Sequence, residues 1–97
     1  MINIDEVRKL CKENKIKWTA HILKRIQQRN IMLDDVLNAV LNGEIIEQYE
    51  NTKSCLILGK TLKNADIHIV CCVKDNVLMI TAYYPDERFD KANKKRL

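Results

Sequence analysis

Apolar residues recur with a helical period over the first forty positions. Ile4, Val7, Leu10 and Cys11 follow i, i+3, i+6, i+7 behind Asn3 and Asp5, either of which can cap, so the spacing predicts a first helix through about Lys15. Thr19 caps a second helix over 20–28. A third begins at Leu33 or Asp34, carries Val36, Leu37, Val40 and Leu41 on its buried side, and ends at Asn42-Gly43, since glycine commonly comes just past a helix end.

The period then changes from helical to alternating. Segments 44–49, 54–60, 67–73 and 77–84 read as four strands rich in Ile, Val, Leu and Tyr, joined by short turns at 51–53, 62–65 and 75–76 and stopped by Pro85. Short connections imply an antiparallel meander. The fold class is therefore α+β, with N-terminal helices packed on one face of a four-stranded antiparallel sheet.

Alternation assigns the faces. Ile67, Ile69, Cys71 and Val73 oppose Asp66, His68, Val70 and Cys72; Leu78, Ile80 and Ala82 oppose Met79, Thr81 and Tyr83; Ile46 and Gln48 oppose Ile45, Glu47 and Tyr49. With the apolar sets under the helices, the other face collects Glu47, Tyr49, His68, Thr81 and Tyr83 into a concave, partly polar surface.

Ninety-seven residues suit one domain, expected over 1–87 with a basic C-terminal tail over 88–97, in which Phe89 is expected to pack a short terminal segment back on the domain before the tail frays. A composition of 46% hydrophobic and 31% charged residues with 2 Gly and 1 Pro excludes disordered, collagen-like and low-complexity classes. No apolar run approaches the ~18 residues of a membrane span. The N-terminus has no signal-peptide pattern, so a cytoplasmic location is expected.

The net charge of +4 is unevenly placed. Residues 8–29 carry eight basic side chains and one acidic, residues 30–87 four basic and nine acidic, and the tail five basic and one acidic. Basic ends around an acidic middle suggest an anionic partner such as nucleic acid, whereas lysines alone also serve solubility. Cys11, Cys55, Cys71 and Cys72 lack zinc spacing and read as small core residues, with neither metal nor disulfide expected.

The chemistry-bearing pattern is on the second helix. His21, Arg25 and Arg29 lie at about 0°, 40° and 80° around its axis, beside Ile22 and Ile26 at about 100° and 140°. Such a stripe borders the core, where partial desolvation strengthens electrostatics. RNA carries its own nucleophile, the 2′-OH, so its cleavage needs a base, an acid and cations for the charge on phosphorus. His21 can serve as base or acid. Arg25 and Arg29 present phosphate-binding forks. Lys24 adds charge beside them, and Glu47, Tyr49, His68 or Tyr83 can complete the set from the sheet. Taken singly, each residue also has an ordinary structural reading. His21 can be a hydrogen-bonded boundary residue, His68 can bond a neighbouring strand, and Arg25 and Arg29 can pair with Asp34, Asp35 or Glu44. Trp18 can stack on a base or cap the core.

The succession Trp18-Thr19-x-His21-x-x-x-Arg25-x-x-x-Arg29-x-Ile31, then Asn42-Gly43-Glu44-Ile45-Ile46-Glu47-x-Tyr49, Ser54-Cys55-Leu56-Ile57-Leu58-Gly59, Ile67-His68-Ile69-Val70 and Ile80-Thr81-Ala82-Tyr83-Tyr84-Pro85, resembles a family of small bacterial proteins long labelled a domain of unknown function. That family looks like an outlying branch of the RelE/BrnT-like toxins with the barnase–RelE type of fold. The resemblance covers 18–85. It implies a type II toxin acting as a metal-independent endoribonuclease without cofactor, encoded beside a zinc-finger or helix-turn-helix antitoxin. His21, Arg25, His68 and Tyr83 are then the expected catalytic residues. Arg29, Trp18, Lys24, Glu47 and Tyr49 are the expected RNA contacts, with mRNA among the substrates. The chain departs from RelE in beginning with helices and in lacking Arg/Lys-rich strands, which makes free RNA the expected substrate. A non-catalytic nucleic-acid- or protein-binding module of a toxin–antitoxin-like operon is the alternative.

Overall fold

A computed structural model describes residues 1–85 and the backbone of 89–90 and 95–96. The order is α1 (Ile4–Lys12), β1 (Ile16–Trp18), α2 (Ala20–Gln28), α3 (Leu33–Asn42), β2 (Glu44–Tyr49), β3 (Ser54–Lys60), β4 (Asp66–Val73) and β5 (Val77–Tyr83), followed by a two-strand pairing of β6 (Phe89–Asp90) with β7 (Lys95–Arg96). The expected packing of Phe89 and the side chains of the basic tail lie outside the described residues.

Asn3 caps α1 by accepting from the Asp5 amide at 2.8 Å. The helix stops three residues before Lys15 because Asn14 takes a left-handed conformation, φ 59°. The Lys15 and Asn14 amides then bond back to the carbonyls of Leu10 (2.8 Å) and Cys11 (3.1 Å), a Schellman ending. α2 ends the same way at Asn30, φ 60°, with Ile31 N donating to Ile26 O at 2.8 Å. Asparagine tolerates this region better than most residues. Gly43 does not adopt it: its φ is −92°. A Cβ there would instead press into the carbonyls of Ala39 and Leu58, so close approach is what requires this glycine.

The sheet has five strands and is mixed, a correction to the expected four-stranded antiparallel one. Its order is β1-β5-β4-β3-β2. The meander β2 to β5 is antiparallel as expected, but the early release of α1 frees Ile16–Trp18 to pair parallel with β5, Ile16 opposite Val77 and Trp18 opposite Met79. The signal for this strand is Asn14, a helix stop ahead of a short apolar segment.

Two irregularities reset the faces. In β2, Ile45 opposes Ile57 but Glu47 opposes Leu56, leaving Ile46 as the extra residue. Ile45 therefore packs against the helix-side core, while Glu47 and Tyr49 keep the other face. In β5, Thr81 opposes Val70 but Met79 opposes Cys71, leaving Ile80 as the extra residue. Met79 is consequently in the core beside Ala82, and Leu78 shares the far face with Thr81 and Tyr83. Simple alternation places Ile45, Leu78 and Met79 on the wrong sides, because each added residue inverts the parity of the strand on one side of it.

The core joins Val7, Ile22, Ile26, Ile31, Val36, Ala39 and Val40 from the helical half to Ile57, Ile67, Ile69, Cys71, Val77, Met79 and Ala82 from the sheet. Each fully buried aliphatic side chain contributes about 1.5–3 kcal/mol. α3 lies against β3 at backbone distance. A Cβ at Gly59 would sit 2.6 Å from Ala39 Cα. Gly59→Ala should therefore cost about 1–3 kcal/mol of stability, the usual range for overpacking. Urea denaturation measures it, and Ala39→Gly in the same chain should not restore the loss, because the clash is with backbone. An unchanged midpoint in Gly59→Ala would contradict the packing.

Candidate functional site

The edge of β5 organises the residues of the α2 flank and of the far face. β1 pairs with β5 only as far as Met79, and beyond it the α2 side chains bond the strand's carbonyls. Thr19 Oγ1 lies 3.0 Å from Met79 O and 3.2 Å from Ile80 O, the carbonyl of the bulged residue. The same oxygen accepts from Ile22 N at 3.1 Å, so one hydroxyl both caps α2 and fastens it to β5. At the other end of the helix, Arg29 Nη1 donates to Ala82 O at 2.7 Å. This charged donor meets the strand's backbone past the end of its pairing with β1.

Between these anchors runs the cationic flank. His21 and Lys24 are exposed. Arg25 is half-buried and donates to Gln28 Oε1 at 3.1 Å. Asp35, offered by the sequence as a partner for these arginines, instead accepts from the amides of Met32 and Leu62, each at 3.0 Å.

On the far face of the sheet, His68 and Tyr83 are directly opposed and their rings meet edge-on, centroids 5.5 Å apart at 63°. Tyr83 follows Ala82 on β5, and its side chain lies on the face opposite the one on which Ala82 packs in the core, so the Arg29 anchor holds the backbone beside this ring pair. His68 is only 1% exposed, and Glu47, Tyr49, Thr81 and Tyr83 are half-buried, so the expected open polar surface is largely withdrawn from solvent. Glu47 accepts a hydrogen bond from the Tyr49 hydroxyl. That pair sits on β2, two strands or about 10 Å from β4. Trp18 is half-buried and packs against the core. The structure thus pairs His68 with Tyr83 on the far face and Glu47 with Tyr49 on β2, and places His21, Lys24, Arg25 and Arg29 on α2 and its end, where Arg29 meets the backbone of β5.

Residues 18–84 match the family described as Domain of unknown function (DUF4258). The chain belongs to this family. No curated protein and no solved structure matches it. The DUF4258 segment begins at Trp18 and ends at Tyr84, so it contains the end of β1, the Thr19 anchor, the α2 flank and the His68–Tyr83 pair, and leaves α1 outside.

Among the described residues, no group of three or more His, Cys, Asp or Glu side chains is placed to hold a metal ion. No described helix is long and apolar enough to cross a membrane. Sequence reasoning gave Thr19 as a cap but missed its bonds to β5, since nothing local links it to residues sixty positions away. It also missed Arg8, whose Nη2 donates to Gly43 O and so ties α1 to the end of α3.

The double duty of Thr19 makes a separable prediction. Thr19→Val keeps the shape and loses the hydroxyl's bonds to Ile22 N and to the β5 carbonyls, and should cost about 1–2 kcal/mol. Thr19→Ser should recover most of it. Chemical denaturation monitored by circular dichroism reads both, and equal stability of the two variants would show that the hydroxyl contributes nothing.

Proposed function

We propose that this protein is a toxin-like RNA-directed module and, more specifically, a metal-independent endoribonuclease of the type II toxin–antitoxin kind. The observation that carries this reading is the Arg29–Ala82 bond, which joins a His/Arg flank at a core boundary to the end of β5 that bears Tyr83, opposite His68 on β4. The small α+β fold, with helices on a mixed sheet, is compatible with toxins of the RelE/BrnT type.

In this reading His21, exposed at the start of the flank, accepts the proton of an RNA 2′-OH. The freed oxygen attacks the adjacent phosphorus, and Arg25 with the outward part of Arg29 stabilises the charge that builds on the phosphoryl oxygens. Tyr83 delivers a proton to the departing 5′-oxygen. His68, buried behind it, acts as a positioning residue that holds the phenol ring. Lys24 supplies a phosphate contact. The products are a 2′,3′-cyclic phosphate and a 5′-hydroxyl, and free RNA, mRNA included, is the substrate class. The cognate partner is an antitoxin protein of zinc-finger or helix-turn-helix type that covers the basic flank, and the site of action is the cytoplasm.

A second reading, a non-catalytic nucleic-acid- or protein-binding module, is favoured by the burial of His68 and by the intramolecular bonds of Arg25 and Arg29. Incubation with mixed RNA in EDTA, with mapping of product ends, separates the two. The endoribonuclease should yield cyclic-phosphate ends, and His21→Ala or Arg25→Ala should each reduce cleavage by on the order of a hundredfold while remaining folded. Binding that weakens steadily with salt and with each lost cation, without cleaved product on free RNA or on translating ribosomes, would establish the module instead.

A further inference from the structure

Two buried thiols face each other across the middle of the sheet. Cys55 on β3 and Cys71 on β4 are directly opposed in register, both are 0% exposed, and their sulfurs are 3.7 Å apart. All four cysteines are free. Opposed residues of an antiparallel pair have Cα atoms about 4.5–5.5 Å apart. That range lies within the roughly 4.4–6.8 Å that disulfides span. Forming a bond of about 2.05 Å therefore asks for side-chain rotation and little backbone movement.

The other two cysteines are poor competitors for this pairing. Cys72 opposes Ser54 and Leu78 on the far face of the sheet. Cys11 is on α1 and packs against the core from the helix side, its thiol pushed up by burial, whereas Cys55 and Cys71 face each other across paired strands. Within the pair the two sulfurs are unequal. The Cys71 S–H bonded to Cys55 favours ionisation of Cys55, while that bond and burial push Cys71 well up. One sulfur is thus the attacking group and the other holds its proton until the second step.

We infer that Cys55 and Cys71 form an oxidisable pair that closes a cross-strand disulfide and clamps the β3–β4 hairpin. With a small diazene oxidant, the Cys55 thiolate adds to one nitrogen of the N=N bond and the other nitrogen takes a proton. The Cys71 sulfur then attacks Cys55 Sγ, breaking the S–N bond and losing its proton. The two thiols become one disulfide, and the diazene departs reduced by two electrons and two protons as a hydrazine. The inference stands independently of the proposed RNA chemistry, although the closed loop includes His68.

The test exposes the Cys11→Ser/Cys72→Ser chain to diamide without oxygen, then maps peptides without reduction. The expected product is a single internal link between the Cys55 and Cys71 peptides, two hydrogens lighter. Reaction should be slow, because β3 and β4 must open locally, and faster at higher pH as thiolate increases. The thermal midpoint should rise on the order of 5–10 °C and return on reduction. The same link should form in the unsubstituted chain, which guards against an effect of the two serines on folding. Intermolecular dimers, an adduct confined to one cysteine, or two thiols still free after denaturant-assisted opening in diamide would overturn the inference.

Discussion

The carbonyl edge of β5 has to be bonded, and the manner of its bonding places nearly everything else. A strand that borders the core cannot leave its backbone acceptors unpaired. β1 supplies partners only as far as Met79. Past that point the chain turns into α2, and Thr19 and Arg29 complete what a longer strand would have done. The helix is thereby fixed lengthwise against one strand, with Ile22 and Ile26 pressed into the core and His21, Lys24 and Arg25 left along its flank.

This arrangement gives Arg29 two claims on it. Its Nη1 is committed to Ala82 O, and the remaining guanidinium donors extend from an anchored base. A cation held in this way loses less conformational freedom on meeting a phosphate than an unrestrained side chain. The same anchoring makes Arg29 a poor residue for apportioning function, because its removal also releases the strand end that carries Tyr83. Under the proposed endoribonuclease reading His21 and Arg25 are the cleaner reporters, because the bonds that hold α2 to β5 come from Thr19 and Arg29.

The two extra residues, Ile46 and Ile80, have an influence out of proportion to their size. Each lets a strand change the face it buries midway. In β2 the change sends Ile45 inward while keeping Glu47 and Tyr49 outward. In β5 it buries both Met79 and Ala82 on one side, and it creates the kinked carbonyl at Ile80 to which Thr19 donates. The bulge, the end of β1 and the start of α2 thus meet at one point. The far face then holds His68 and Leu56 buried beside half-exposed polar groups, a mixture that alternation alone does not produce.

Much of the fold was legible from residues 1–85. Period, caps and turn residues determined α2 and α3, the four meander strands and the α+β class, because those depend on neighbours within a few positions. The cationic flank of α2 was legible for the same reason, as a matter of helical angle. Long-range pairing was not. The parallel partnership of Ile16–Trp18 with β5 joins segments about sixty residues apart, and no local pattern encodes it. The bulges were hidden because Ile46 and Ile80 are as apolar as their neighbours, so parity could be settled only by which register buries more. The same holds for the meeting of His68 with Tyr83, of Arg29 with Ala82 and of Cys55 with Cys71. Residue order alone assigns which residue types stand on which element; which of them meet follows from strand register and backbone bonding across the whole sheet.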